Sequence, residues 1–209
     1  MNMRFQLRPA VPSDANNLTD IYLSAFSNDE ISLTCFPRSL PTTRTWWYNS
    51  ILAEIQDPSS HFICICNTSS PTQEIISFAK WNDSSAPVVT KNDIPQWPPG
   101  CNAELANHFF GTLIERRREI MRERKHWYLE LIATKPGWQR QGAAGNLIRW
   151  GLVRADEEGL ETYLEASPVG KEIYEYFGFE ERGRLVIPLV DGEDFVECMM
   201  VRTGMGEMA

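Results

Sequence analysis

The stretch Thr134-Lys-Pro-Gly-Trp-Gln-Arg-Gln-Gly-Ala-Ala-Gly joins a run with strand alternation to one with helical spacing. Small residues at 142–145 leave the main-chain N–H groups of a helix N-terminus bare. Those groups, with the positive end of the helix dipole, make an anion site suited to a pyrophosphate. No Gly-Lys-Ser/Thr closes the stretch, so it is not a Walker loop, and the three spaced glycines of the dinucleotide fingerprint are missing. The same residues can also be read as a tight turn into a closely packing helix.

The run before it, Trp127-Tyr-Leu-Glu-Leu-Ile-Ala-Thr, is a strand. Period-two alternation puts Tyr128, Glu130, Ile132 and Thr134 on one side, so a carboxylate and a phenol face the same space. A strand-end glutamate is equally compatible with a lysine partner or with solvent. Five cysteines (Cys35, Cys64, Cys66, Cys101, Cys198) form no CxxC pair and no Cys/His cluster with zinc spacing, so they read as reduced core residues and no metal is expected. His61, His108 and His126 stand apart from one another in the sequence.

The elements that must position these residues read as one α/β domain of mixed topology. Phe5–Pro9 alternates as a strand; Ala15–Phe26 has one apolar helical face, with Ser13 or Asp14 as its cap. Residues 28–43 are polar with two prolines and read as a loop; a second helix spans 44–55. Strands follow at 61–67 and 74–81. The segment 82–103 holds Pro87, Pro95, Pro98 and Pro99 and reads as an insertion over one face. Helices are expected at 104–125, 143–158 and 169–177, and strands at 127–134, 162–166, 179–186 and 195–202. The turn Asp191-Gly-Glu-Asp precedes the last strand.

The chain has 209 residues with 43% hydrophobic and 23% charged, the balance of a globular protein. Its net charge is −8 and no basic run is longer than Arg116-Arg117-Arg118, which argues against a nucleic-acid partner. An acidic surface suits a cationic acceptor. No stretch is long and apolar enough to span a membrane, and residues 1–8 lack a signal-peptide core, so a cytoplasmic protein is expected, with the nucleus open.

The string Gln139-Arg-Gln-Gly-Ala-Ala resembles the Q/R-x-x-G-x-G/A motif of the GNAT superfamily of N-acetyltransferases. It follows a Thr-x-Pro turn, as in that superfamily. Ile173-Tyr-Glu-Tyr-Phe-Gly-Phe resembles the later L-Y-x-x-x-G-F, with one helix and one strand between the two motifs. Ala143 and Ala144 stand where the family often has a larger residue and then glycine. The resemblance covers Tyr128 to Phe179, with weaker elements before it in the family's order.

That resemblance implies a central twisted mixed sheet splayed at strand 127–134, helices on both faces, and acetyl-CoA as co-substrate lying in the gap. The backbone of Ile132, Ala133 and Thr134 would take the pantetheine arm. Gln139, Arg140, Gln141, Gly142, Ala143, Ala144 and Gly145 would take the pyrophosphate, with Ser167 and Tyr174 also lining the cofactor. An alkylammonium of pKa ~10.4 is neutral in only roughly one molecule in a few thousand at pH 7, so a base is needed. The resemblance places bases at positions matching Tyr128 and Glu130, of which Glu130 is the expected one, directly or through water. It makes Tyr174 the proton donor to the leaving thiolate; Tyr176, about 200° around the helix, faces elsewhere. An N–H near Ile132 or Ala133 would meet the oxyanion. The acceptor side is expected in residues 27–43, Trp46-Trp47 and the 82–103 segment, with Asp29, Glu30 and Asp83 holding an ammonium.

The expected function is acetyl transfer from acetyl-CoA to a primary amine by direct attack in a ternary complex. The acceptor is expected to be a small molecule and the protein a monomer or homodimer. Alternatives are a protein or peptide acceptor, a non-catalytic acyl-CoA-binding module, and a nucleotide-phosphate protein.

Overall fold

The computed structural model describes residues 4–188 and 194–204. Seven strands form one sheet in the order β1-β2-β3-β4-β5-β7-β6. They are β1 (Phe5–Pro9), β2 (Ser60–Asn67), β3 (Ile75–Asn82), β4 (His126–Thr134), β5 (Glu161–Ala166), β6 (Glu180–Pro188) and β7 (Asp194–Arg202). Every pairing is antiparallel except β4 with β5. Six helices cover it: α1 (Ala15–Ala25), α2 (Glu30–Cys35), α3 (Pro41–Glu54), α4 (Ala103–Met121), α5 (Ala143–Glu157) and α6 (Pro168–Tyr176).

Each face of the sheet carries its own core. On one, α5 lays Leu147, Ile148, Leu152 and Ala155 over Trp81, Leu129, Leu164 and Met200, with Tyr174 of α6 beside them. Gly151 sits where a Cβ would come within 2.3 Å of the Trp81 ring, so the helix approaches that indole as closely as a backbone can. On the other face α1 and α3 cover Phe62, Phe78 and Ala133. There α2 and α4 join Tyr163, Leu185 and Met199.

Two irregularities shape the centre. β4 and β5 pair only from His126↔Glu161 to Leu129↔Leu164. Beyond that point residues 130–134 keep β3 on one edge and, among the described residues, have no strand on the other, while Glu165 and Ala166 pair there only with β7. The sheet is therefore splayed after Leu129. The register of β3 against β4 also shifts between Lys80 and Trp81, where Leu129 and Leu131 face consecutive partners and Glu130 is the extra residue.

That bulge corrects the alternation expected for this strand. Tyr128, Leu131 and Ala133 share a face with Asn82, Lys80 and Phe78, and Glu130 reaches Lys80 and Asn82 on that same face. Ile132 and Thr134 pair with Ala79 and Ser77 and point to the α5 side, opposite Glu130.

Residues 28–43 are not all loop. Asp29 accepts a hydrogen bond from the Ser32 N–H (2.7 Å) and starts the short helix α2, and Pro41 pre-sets the first turn of α3 three residues earlier than its apolar spacing indicates. Asp14 makes no cap for α1, because its carboxylate is taken by Arg8 at 2.6 and 2.9 Å. α4 ends at Met121, where Arg122 turns to φ 53. The 82–103 segment holds a 3₁₀ turn at Lys91–Asp93 and packs inward through Trp97. Residues 191–193 of the expected turn lie outside the described residues.

Candidate active site

The gap opened by the splay is bounded at one end by the start of α5. A 3₁₀ turn, Pro136–Trp138, leads from β4 to Arg140 and Gly142, both in left-handed backbone (φ 58 and 89). That geometry favours glycine at 142, and nothing lies within 4 Å of where its Cβ would stand. Ala143, Ala144 and Gly145 are first-turn residues with no carbonyl inside the helix to receive their N–H groups. Asn146 is the first to find one, at Gly142 (3.3 Å).

The loop is braced by its own side chains. Gln139 donates to the Thr134 carbonyl (3.3 Å); Gln141 donates to Gly137 (3.0 Å) and accepts from Arg4 (3.2 Å). Arg140 is exposed beside the open N–H groups. Arg149, one turn along α5, lies over the Phe177 ring at 5.1 Å and close to Gly145, a second cation at this helix end that sequence reasoning missed. Small residues, left-handed backbone and two guanidiniums fit a pyrophosphate.

On the α4 side of the splay, three glutamates stand on three adjacent strands: Glu130 on β4, Glu165 on β5 and Glu197 on β7. Glu130 is committed. Its oxygens take the Lys80 ammonium (2.8 Å) and the Asn82 amide (2.6 Å). Burial would raise its pKa, but Lys80, Asn82 and the Arg117 charge outweigh that and hold it below the usual range. Lys80 is itself buried, with Glu54 as a second partner at 3.1 Å.

Glu165 is different. Tyr128 Oη donates to it at 2.8 Å, and Arg117 stacks over the Tyr128 ring at 4.1 Å. Burial pushes its carboxyl up to about 7 against the pull of Arg117, with the Glu130 charge adding to the rise. Its proton affinity therefore sits where a base at neutral pH needs it. Glu197 is 8% exposed, and burial followed by the charges of Glu165 and Asp29 pushes it up to about 8. Neither residue was singled out from sequence; the available signal was a glutamate flanked by apolar residues on each strand, Leu164 and Ala166 on β5 and Val196 and Cys198 on β7.

Tyr174 is 6% exposed, with its ring edge on Phe179. Burial, then the charge of Glu197, raises its phenol, so it stays protonated and able to donate. Tyr176 is 79% exposed and turned to solvent. Ser167 occupies the cap position of α6 without a side-chain capping bond.

The expected acceptor acids do not assemble around the aromatic residues. Phe36, Trp46 and Trp97 pack on one another at 5.3–5.7 Å, and the indoles of Trp46 and Trp97 donate to the Gln96 carbonyl and to Asn107. Asp83 is held by His61 (2.8 Å) and Ser85, and Asp29 caps α2. Glu30 is exposed. His126 is half-buried and bonded to the Arg124 carbonyl. All five cysteines are free. Among the described residues no helix is long and apolar enough to cross a membrane, and no group of three His, Cys, Asp or Glu is placed to hold a metal ion.

Residues 103–188 match the acetyltransferase (GNAT) domain family. An uncharacterized N-acetyltransferase of Schizosaccharomyces pombe is 34% identical over 76 residues, 35% of this chain and 31% of that protein, so the match spans under a third of the relative's length. Solved structures share the fold across nearly the whole chain. One is an acetyltransferase from Corynebacterium glutamicum, described as a histone acetyltransferase HPA2 and related acetyltransferase (20% identity, TM-score 0.64, 99% of this chain and 100% of that one). Another is the C-terminal condensation domain of Ebony in complex with beta-alanyl-dopamine (12%, 0.69, 96% and 99%). A third is Arabidopsis thaliana NAA60 in complex with a bisubstrate analogue (15%, 0.61, 97% and 99%). Residues 103–188, which contain the bulged and splayed β4 and the open N-terminus of α5, are thus similar to GNAT acetyltransferase domains, and the solved structures share the fold across nearly the whole chain.

Proposed function

We propose that the protein moves an acetyl group from acetyl-CoA to a primary amine by direct attack in a ternary complex, the acceptor being a small molecule. The observation that carries this reading is the splay. β4 and β5 part after Leu129, with the open N–H groups of α5 following β4 and Glu165 on β5 just past the last pair; in this reading Glu165 is the proton acceptor and Tyr174 of α6 the proton donor.

Gly142, Ala143, Ala144 and Gly145 would hold the pyrophosphate through their N–H groups, with Gln139 and Gln141 shaping the loop and Arg140 and Arg149 adding charge. The unpaired edge of β4 at Ile132, Ala133 and Thr134 would hold the pantetheine amides, and Ser167, at the start of α6, would border the cofactor. The bound thioester supplies an activated acetyl carbon. Glu165 takes a proton from the acceptor ammonium, freeing the nitrogen lone pair. Tyr128, hydrogen-bonded to Glu165, fixes that carboxylate in place. As the N–C bond forms and the C–S bond breaks, Tyr174 gives its proton to sulfur. Per turnover an ammonium and a thioester become an amide, a thiol and one released proton.

A second reading gives the base role to Glu130 acting through a water, favoured by its partial solvent exposure. Its commitment to Lys80 and Asn82 makes it the weaker proton acceptor. The five free cysteines accord with a reducing compartment such as the cytoplasm.

Free thiol measured with acetyl-CoA and pooled amines tests the proposal. Thiol release matched by an N-acetylated product by mass spectrometry is expected. Binding of acetyl-CoA without thiol release for any amine identifies a binding module instead.

A further inference from the structure

Three charged side chains among the described residues are buried: Asp14, Lys80 and Glu197. Asp14 is paired with Arg8, and Lys80 with Glu130 and Glu54. Glu197 has no ion pair and no hydrogen bond among the described residues, and both charges that act on it, Glu165 and Asp29, are negative. A buried carboxyl without a partner is costly, and folded proteins seldom keep one without a use for it.

The side chain projects from the same face of the sheet as Glu165, beyond the last β4–β5 pair. Glu165 pairs with Met199 and Glu197 lies two residues along the same strand, opposite Leu185. Tyr163, Met199 and Leu185 belong to one core cluster on the α4 side, so both carboxyl groups project from that face. Such diagonal neighbours stand roughly 7–8 Å apart, a span that a short alkyl chain bridges and a single metal ion does not. No metal-holding group of three occurs here among the described residues.

We propose that Glu197 is the seat of a second ammonium group on the acceptor, so that the substrate class is a short aliphatic diamine held with one nitrogen at Glu165 and the other at Glu197. This inference rests on the acetyl-transfer reading above. The diamine supplies the cation that the fold omits, and the Asp29 charge behind Glu197 strengthens the seat. A monoamine of equal length places a methyl group against the same carboxyl and leaves it unpaired.

The test compares 1,4-diaminobutane with n-pentylamine as acceptors, reading kcat/KM from thiol release in the wild-type protein and in Glu197→Gln. A hydrogen bond to a charged partner predicts a wild-type preference for the diamine on the order of ten- to a hundredfold. In Glu197→Gln the ratio between the two amines is expected to collapse toward unity. Because it is a ratio, a general loss of folded enzyme does not move it. Equal kcat/KM for both amines in the wild type, or an unchanged ratio in Glu197→Gln, overturns the diamine assignment while leaving acetyl transfer intact. No thiol release with either amine overturns the diamine assignment, and acetyl transfer falls with it only if the pooled amines also release none.

Discussion

Glu165→Gln keeps the shape of the side chain and its place beside Tyr128, but removes the proton acceptor. With the Glu165 carboxyl at about 7, about a tenth of the enzyme is ionised at pH 6, about half at pH 7 and about nine tenths at pH 8. The wild-type kcat/KM should therefore climb about tenfold per pH unit on the acid side and level off above neutrality, since this parameter reports the free enzyme's base. In Glu165→Gln that bend disappears and turnover at pH 7.5 falls by about 10²–10⁴-fold. Stability moves in a linked way. The folded state holds this proton more tightly than the unfolded state, so its contribution is full below the unfolded value of 4.5 and is lost as pH rises through about 7. A rise of that size is worth on the order of 3 kcal/mol. Glutamine imitates the protonated form, so the melting temperature of Glu165→Gln relative to wild type should increase between pH 5 and pH 8. A pH–rate series on both proteins, with thermal melts at each pH, checks the two limbs together. A Glu165→Gln enzyme that keeps the bend near pH 7 and most of its turnover refutes the assignment.

Glu130→Gln should act mainly on stability, because Lys80 is 6% exposed and would keep only Glu54 as a charged partner. Urea unfolding should show a loss of about 1–3 kcal/mol, with the bend in the rate profile retained. Gly142→Glu places a side chain on left-handed backbone and a negative charge against the phosphate site. Calorimetry should show acetyl-CoA affinity lowered on the order of tenfold or more. Tyr174→Phe removes a proton donor while keeping the ring on Phe179, so kcat should fall more than acetyl-CoA affinity; an equal loss of both assigns the residue to packing. Gly151→Ala drives a methyl group into the buried Trp81 indole, and its thermal melt should drop by the equivalent of about 1–3 kcal/mol.

What the sequence discloses and what it conceals divide along contiguity. The anion site at the start of α5 is built from neighbouring residues, and small side chains at 142–145 expose the same N–H groups whatever else the chain does. Tyr174 is legible for a similar reason, since the turn that separates it from exposed Tyr176 is a property of one helix. The strand alternation correctly joins Tyr128 to Glu130 and fails one residue later. The bulge that reverses Ile132 and Thr134 arises from how β3 meets β4, with Trp81 paired to Leu129 while its indole lies beneath Gly151 of α5, and no local pattern in β4 announces it. The row of carboxylates is further from view. Glu165 and Glu197 are separated by α6 and β6 in the chain, and they become neighbours only because β7 inserts between β5 and β6. In sequence each resembles a glutamate on the solvent side of its strand. The fold gives them another character: α2 and α4 pack on that face, burial raises the proton affinity of both, and Glu197 has no countercharge among the described residues. The raised proton affinity of these carboxyls is thus a consequence of strand order, which explains why the open helix N-terminus could be read from a short motif and the carboxylate row required the assembled sheet.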